Sequence, residues 1–222
     1  MIFTKNDKVV MIGDSITDTE RKRPHGEGRN DAYGKGYVSA VNALITSVYP
    51  ELALRIINMG ISGNTVRNLQ ERWQTDVLDL KPDWVSVLIG INDVWRQYDQ
   101  PMITESHVYI EEYRQGLEQL VSSTLPSVKG MILMTPFYIE PNKDDAMRRT
   151  MDQYGQVVKE VAEKHGTLFV DMQAALEPAL AHIYPATLAW DRVHPNLTGH
   201  MLLARAFLNA IGFSWDGAAV SK

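Results

Sequence analysis

The sequence contains no cysteine, and that absence removes disulfides, thiolate metal sites and a Cys nucleophile together. It also lacks an excess of positive charge: 22 Lys and Arg stand against 27 Asp and Glu, a net charge of −5, and no window is a dense basic run, so a nucleic-acid partner is not expected. No stretch approaches the roughly 18 consecutive apolar residues that a membrane span requires. The first residues, MIFTKNDK, lead into a short apolar strand without the charged and apolar regions of a secretory leader, and with the missing cysteines this points to a cytoplasmic protein. Nucleotide fingerprints are missing as well. There is no GxxxxGK[ST] and no GxGxxG following a strand, and His and carboxylate residues do not cluster at ligand spacing, so neither a cofactor nor a metal is expected.

What remains is a chain of 222 residues, 45% hydrophobic and 22% charged, of a size that fits one packed domain covering 1–222. Short β-branched runs alternate with longer amphipathic segments. Strands are predicted over Lys8–Gly13, Leu54–Gly60, Trp84–Gly90, Gly130–Thr135 and Thr167–Asp171. Helical spacing is found over Tyr37–Tyr49, Thr65–Leu80, His107–Ser122, Asp145–Lys164 and Asn196–Ile211. With right-handed crossovers, this pattern gives an α/β fold, a three-layer α/β/α sandwich around a five-stranded parallel sheet. The sequence leaves open whether Trp215 and the tail to Lys222 pack on the body or on another subunit.

Ligands of such sheets bind beyond the carboxyl ends of the strands. There the sequence places Gly13-Asp14-Ser15 after the first strand, Asn58 to Asn64 (NMGISGN) after the second, Gly90-Ile91-Asn92-Asp93 after the third, and Trp190 to Pro195 (WDRVHP) before the last helix. A serine hydroxyl attacks only when a base takes its proton, and the base needs a partner that fixes its tautomer. Ser15 sits where a Gly-Asp turn can lift it from the sheet. Asp191 and His194 are close enough in sequence for one loop to present them to each other. Each has a structural alternative, Ser15 as a helix cap and the Asp/His pair as a cap of the final helix. Oxyanion donors are available from the N–H of Ser15, the N–H of Gly63 and the side-chain amide of Asn92. Taken singly, Gly63 could serve only a turn and Asn92 only an Asx-turn; their joint occurrence on one rim points to acyl transfer.

These blocks resemble the SGNH, or GDSL-like, hydrolases: GDS carries the nucleophile block, Gly63 and Asn92 in GIND match the oxyanion donors, and DxxHP matches the Asp and His. Ile16 replaces the Leu found in many members. The segments GDSITD, NMGISGNTVRNL, GINDVWRQYD, MTPFYIEPN, RRTMDQYG and AWDRVHPN further resemble bacterial intracellular acetyl-xylooligosaccharide esterases. That resemblance implies a flavodoxin-like sandwich, a cofactor-free serine mechanism on a small acetylated saccharide, and a homo-oligomer that could be as large as an octamer. Trp190, Tyr184 and Trp95, beside the candidate blocks, are expected to bind substrate, while Arg55, Arg96 and Arg148 receive no role. The alternatives are a short-chain lipase, thioesterase or acyltransferase using the same triad, and a non-catalytic carbohydrate-binding protein.

Overall fold

The computed structural model describes residues 1–217; the expected tail beyond them lies outside the described residues. Five strands form one parallel sheet: β1 (Lys8–Gly13), β2 (Arg55–Asn58), β3 (Trp84–Leu88), β4 (Gly130–Met134) and β5 (Leu168–Val170), in the order β2-β1-β3-β4-β5. Their side chains are almost entirely buried, as runs such as VVMI and WVSVL require when helices cover both faces.

Nine α-helical segments connect and flank the described strands: α1 (Ser15–Asp18), α2 (Tyr37–Val48), α3 (Val66–Asp76), α4 (Ile91–Asp99), α5 (Ile110–Thr124), α6 (Ala146–His165), α7 (Met172–Leu180), α8 (Pro185–Leu188) and α9 (Leu197–Ala210). Helices α2, α7 and α9 pack together, and α3, α5 and α6 pack together, which gives the two outer layers of the sandwich. The buried core is contributed by every strand and by helical residues such as Tyr37, Leu69, Tyr113, Val161 and Phe207. Chain direction across the sheet reverses between β1 and β3. In a doubly wound sheet the crevice opens at that switch point, and Ser15 and Asn92 leave the sheet there.

Every predicted strand is present, though four end earlier than expected. After β2 the chain makes two more bonds to β1, Met59 N–H to Met11 C=O and Ile61 N–H to Gly13 C=O, on either side of Gly60. The predicted helix to Leu80 stops at Asp76 and finishes as a 3-10 turn over Leu78–Leu80. The helix expected from His107 starts at Ile110 instead, and His107 is buried in the preceding turn, where its Nε2 lies 3.0 Å from the Gln100 carbonyl. Two features were not anticipated. The segment after β3 is helical from Ile91, and α8 precedes the loop that carries Asp191. Among the described residues no helix is long and apolar enough to cross a membrane, and no group of three or more His, Asp or Glu residues could hold a metal ion.

Candidate active site

The chain leaves β1 through Asp14, whose carboxylate accepts the N–H of Ile16 at 2.9 Å and caps the single turn of α1. Ser15 is the first residue of that turn, so its side chain stands at the rim of the sheet, while the N–H of Thr19 returns to its carbonyl. The Ser15 Oγ lies 2.8 Å from His194 Nε2, across 179 residues of sequence.

His194 comes from the loop between α8 and α9. Its Nδ1 is 2.6 Å from Asp191 Oδ2, and the other oxygen, Oδ1, accepts the N–H of Val193 at 2.9 Å and that of His194 at 2.8 Å. The loop therefore winds around its own carboxylate. Burial would raise the Asp191 pKa, but the hydrogen bonds from the His194 ring and the two N–H groups outweigh it and hold the carboxyl below the ordinary range. Outside this turn, the N–H of Ile139 donates to the Arg192 carbonyl at 2.9 Å, and Arg192 pairs with Glu140 at 2.7 Å. The segment after β4 thus holds the loop from behind.

Three further segments close the rim. Gly60 allows β2 to pass α1: a Cβ there would lie 2.2 Å from the Asp18 N. Ser62 then donates both its N–H (3.0 Å) and its hydroxyl (3.1 Å) to Asp18 Oδ2, on the turn that begins at Ser15. Two residues on, the Asn64 carbonyl accepts from Asn92 Nδ2 at 3.0 Å. Gly63 is thus held between a residue bonded to the Ser15 turn and a residue bonded to Asn92. Its φ of +83° is a conformation that L side chains rarely adopt, and a Cβ would meet no atom within 4 Å, so glycine here serves the backbone orientation and leaves open space beside it. A hydrogen-bonded Ser15–His194–Asp191 chain is an arrangement that can generate a nucleophile, and Gly63 and Asn92 lie on segments tied to the Ser15 turn and to each other.

Of the aromatic residues expected at the site, Trp95 stands edge-on to the His194 ring, with centroids 5.8 Å apart. Tyr184 and Trp190 are 76% and 85% exposed, in the same α7–α9 region that delivers Asp191. Trp215 is exposed as well. Among the histidines, His200 is buried on α9 and accepts the N–H of Tyr37 at 3.3 Å; burial, with the nearby His194, pushes its pKa down to about 4. Arg55 pairs with Glu27 at 2.7 Å, and Arg148, 2% exposed, pairs with Asp152 and Glu177 at 2.9 and 2.5 Å.

Sequence reasoning missed the supporting charges. Arg72 donates from Nε to Asn64 Oδ1 at 2.7 Å and from its guanidinium to the carbonyls of Met59 and Gly13 at 2.8 and 3.0 Å, tying β1, β2 and the Gly63 loop together. Asp93 is fully buried and accepts the N–H of Val66, at the start of α3, at 3.0 Å. Asp14 and Asp93 each have a second oxygen with no partner among the described residues. Burial pushes the Asp14 carboxyl up to about 7, and the Asp93 charge adds to the rise; burial pushes Asp93 to about 7 as well. The signal for both was only their adjacency to Ser15 and Asn92.

Comparison with known proteins gives this geometry a lineage. The chain is 62% identical over 215 residues to an acetylxylan esterase of Geobacillus stearothermophilus, covering 97% of this chain and 98% of that one. The crystal structure of that organism's acetylxylan esterase Axe2 superposes with a TM-score of 0.97 at 60% identity, covering 98% of this chain and all of the other, and its S15A, D191A and H194A forms are described as catalytic mutants. LAE5, an alpha/beta hydrolase from the metagenome of Lake Arreo, matches with a TM-score of 0.94 at 55% identity over 96% of this chain and 98% of its own. Residues 11–202 match the model of the GDSL-like lipase/acylhydrolase family, and the chain belongs to that family.

Proposed function

We propose that this protein is a serine esterase that removes acetyl groups from acetylated xylooligosaccharides, with Ser15 as nucleophile, His194 as base and Asp191 as the group that orients it. The observation that carries the reading is the unbroken hydrogen-bonded chain from Ser15 Oγ through both ring nitrogens of His194 to Asp191. In that chain, neutral His194 takes the serine proton as Oγ attacks the acetyl carbonyl carbon. The carbonyl oxygen becomes negative and is met by the N–H of Ser15, the N–H of Gly63 and the second hydrogen of Asn92 Nδ2, the first being engaged with Asn64. Collapse of the tetrahedral species expels the sugar hydroxyl, which receives the proton from His194. Water then attacks the acetyl-serine, giving up its proton to His194, and acetate leaves as Ser15 is reprotonated. The site residues require no metal or organic cofactor for these steps.

The choice of an acetylated xylose oligomer follows the acetylxylan esterase of G. stearothermophilus. Trp95, at the wall of the His194 ring, and the exposed Trp190 and Tyr184 are proposed as the sugar platform, since flat aromatic faces suit pyranose rings. A homo-oligomer and a cytoplasmic location complete the proposal. The exposed Tyr184, Trp190, Leu197 and Trp215 are large apolar surfaces of the sort that subunit contacts cover, and the absence of cysteine suits a reducing compartment.

The test is acetate release from acetylated xylooligosaccharides by the wild type and by Ser15→Ala, with a long-chain p-nitrophenyl ester alongside. Ser15-dependent acetate release with little long-chain cleavage is the expected result. Ser15-dependent cleavage of the long ester alone would move the assignment to lipid hydrolysis, and failure of a fluorophosphonate to label Ser15 would remove the enzyme reading.

A further inference from the structure

An asparagine contributes to an oxyanion hole only when its NH2 end, and not its carbonyl, faces the developing charge. The two ends have nearly the same shape, so the surroundings must choose. At Asn92 the choice is made twice. Nδ2 donates to the Asn64 carbonyl at 3.0 Å, and Oδ1 accepts from the Arg96 guanidinium at 3.1 Å. An inverted amide would set oxygen against the Asn64 carbonyl and NH2 against a guanidinium, which has only donors.

Asn92 and Arg96 are four residues apart on α4, the spacing that brings side chains together on one helix face. Arg96 is itself anchored. It pairs with Asp99 and lies over the Trp95 ring, 4.6 Å from its centroid, and the same ring meets the edge of His194. One cation therefore touches the amide expected to receive the oxyanion and braces the aromatic wall of the base.

We propose that Arg96 is a positioning residue for the acyl-transfer step: it fixes the Asn92 amide with its NH2 toward the oxyanion and polarises that amide by donating to its oxygen. The proposal rests on the assignment of Asn92 to the oxyanion hole, and the two can fail separately. Because the amide is needed when charge develops on the carbonyl oxygen, the effect belongs to kcat more than to KM.

The test is a double-mutant cycle on acetate release with Arg96→Met, Asn92→Ala and the pair. Loss of one oxyanion donor costs about 100- to 1000-fold in kcat, the size expected for Asn92→Ala. Arg96→Met, which leaves the Asn64 carbonyl as the one remaining anchor of the amide and removes its polarisation, is expected to lower kcat about 10-fold or more with KM within about 3-fold, and the pair should be little worse than Asn92→Ala alone. Arg96→Lys, still able to donate one hydrogen bond to Oδ1, should recover part of the loss, and unfolding midpoints of all four variants separate misfolding from lost positioning. Independent, multiplicative losses would overturn the proposal, as would a rise in KM at unchanged kcat, which would make Arg96 a substrate contact. An Asn92→Ala variant with wild-type kcat would remove the oxyanion assignment itself.

Discussion

Substituting Asp93 by Asn tests whether the rim is built on uncharged acids. Asp93 is completely buried, one oxygen accepts the Val66 N–H, and the other has no partner among the described residues. Its pKa is pushed up to about 7, against 3.8 for an ordinary aspartate. The folded chain therefore keeps this proton to higher pH than the unfolded chain does, binds more protons between about pH 4 and 7, and loses stability as pH rises through that window. Integrated over the two titrations, the penalty is roughly 2 kcal/mol at pH 5 and roughly 4 kcal/mol at pH 8, so the step between them costs about 2–3 kcal/mol. An asparagine side chain does not ionise and escapes that step. Its NH2, placed where the unpaired oxygen stood, costs about 1–3 kcal/mol at every pH, so the slope is the cleaner quantity. Removing the charge also relieves Asp14, whose rise is partly due to Asp93. Urea unfolding at pH 5 and pH 8 should show the variant gaining about 2–3 kcal/mol on the wild type over that interval. Parallel pH dependence in the two proteins would refute the reasoning and mean that Asp93 is ionised in the folded chain.

The remaining expectations are simpler to read. Ser15→Ala should abolish acetate release while leaving the thermal midpoint nearly unchanged, because the cap of α1 is supplied by Asp14. Asp191→Asn keeps an oxygen for the two backbone N–H groups but sets an amide against His194 Nδ1, so kcat should fall by about 10⁴ in steady-state assays. Gly63→Ala meets no atom, so its cost is the positive φ, about 1–2 kcal/mol in unfolding experiments, and any tilt of the N–H should appear as lower kcat. His200 has its pKa pushed down to about 4, so the unfolded chain takes up this proton first and stability falls as pH drops from 6.5 toward 4, by about 3 kcal/mol. His200→Gln, which can still accept the Tyr37 N–H, should flatten that acid limb in pH-dependent unfolding.

The parts of the molecule that were legible in the sequence are those in which neighbours in the chain are also neighbours in space. Runs such as KVVMIG and WVSVLIG read as buried strands because a parallel sheet covered on both faces admits little else. Asp191 and His194 read as a pair because one turn of chain holds them together. Helix α4 was missed for a local reason: INDVWRQYD is short and polar, and it is entered through Gly90 without a side-chain cap. With α4 unread, Asn92 was legible as an oxyanion donor or an Asx-turn residue after a strand, but its four-residue relation to Arg96 carried no meaning. Arg72 was invisible on any local reading, since its partners at Gly13, Met59 and Asn64 are gathered only by the fold.

Asp14 and Asp93 show the converse limit. Ionisable residues are seldom fully buried, so a sequence pattern gives no reason to place them inside, and both stand beside residues that face the crevice. Apolar side chains could fill the same space, but they could not accept the N–H of Ile16 or Val66. Those two N–H groups open α1 and α3, the elements that begin at Ser15 and just beyond Gly63, and both would otherwise lack an intrahelical partner. Arg72 donates to the Gly13 and Met59 carbonyls where β1 and β2 end, and Arg96 donates to the Asn92 side-chain oxygen. A rim assembled from four separate loops thus gains its rigidity from two buried acids and two partly buried arginines that bond to backbone and to the Asn92 amide. The hydrophobic core runs up to these loops, through Ile12, Ile57 and Leu88 and on to Ile16, Met59 and Ile91. Core substitutions should therefore act mainly on stability, and substitutions of these four ionisable residues should act on turnover as well.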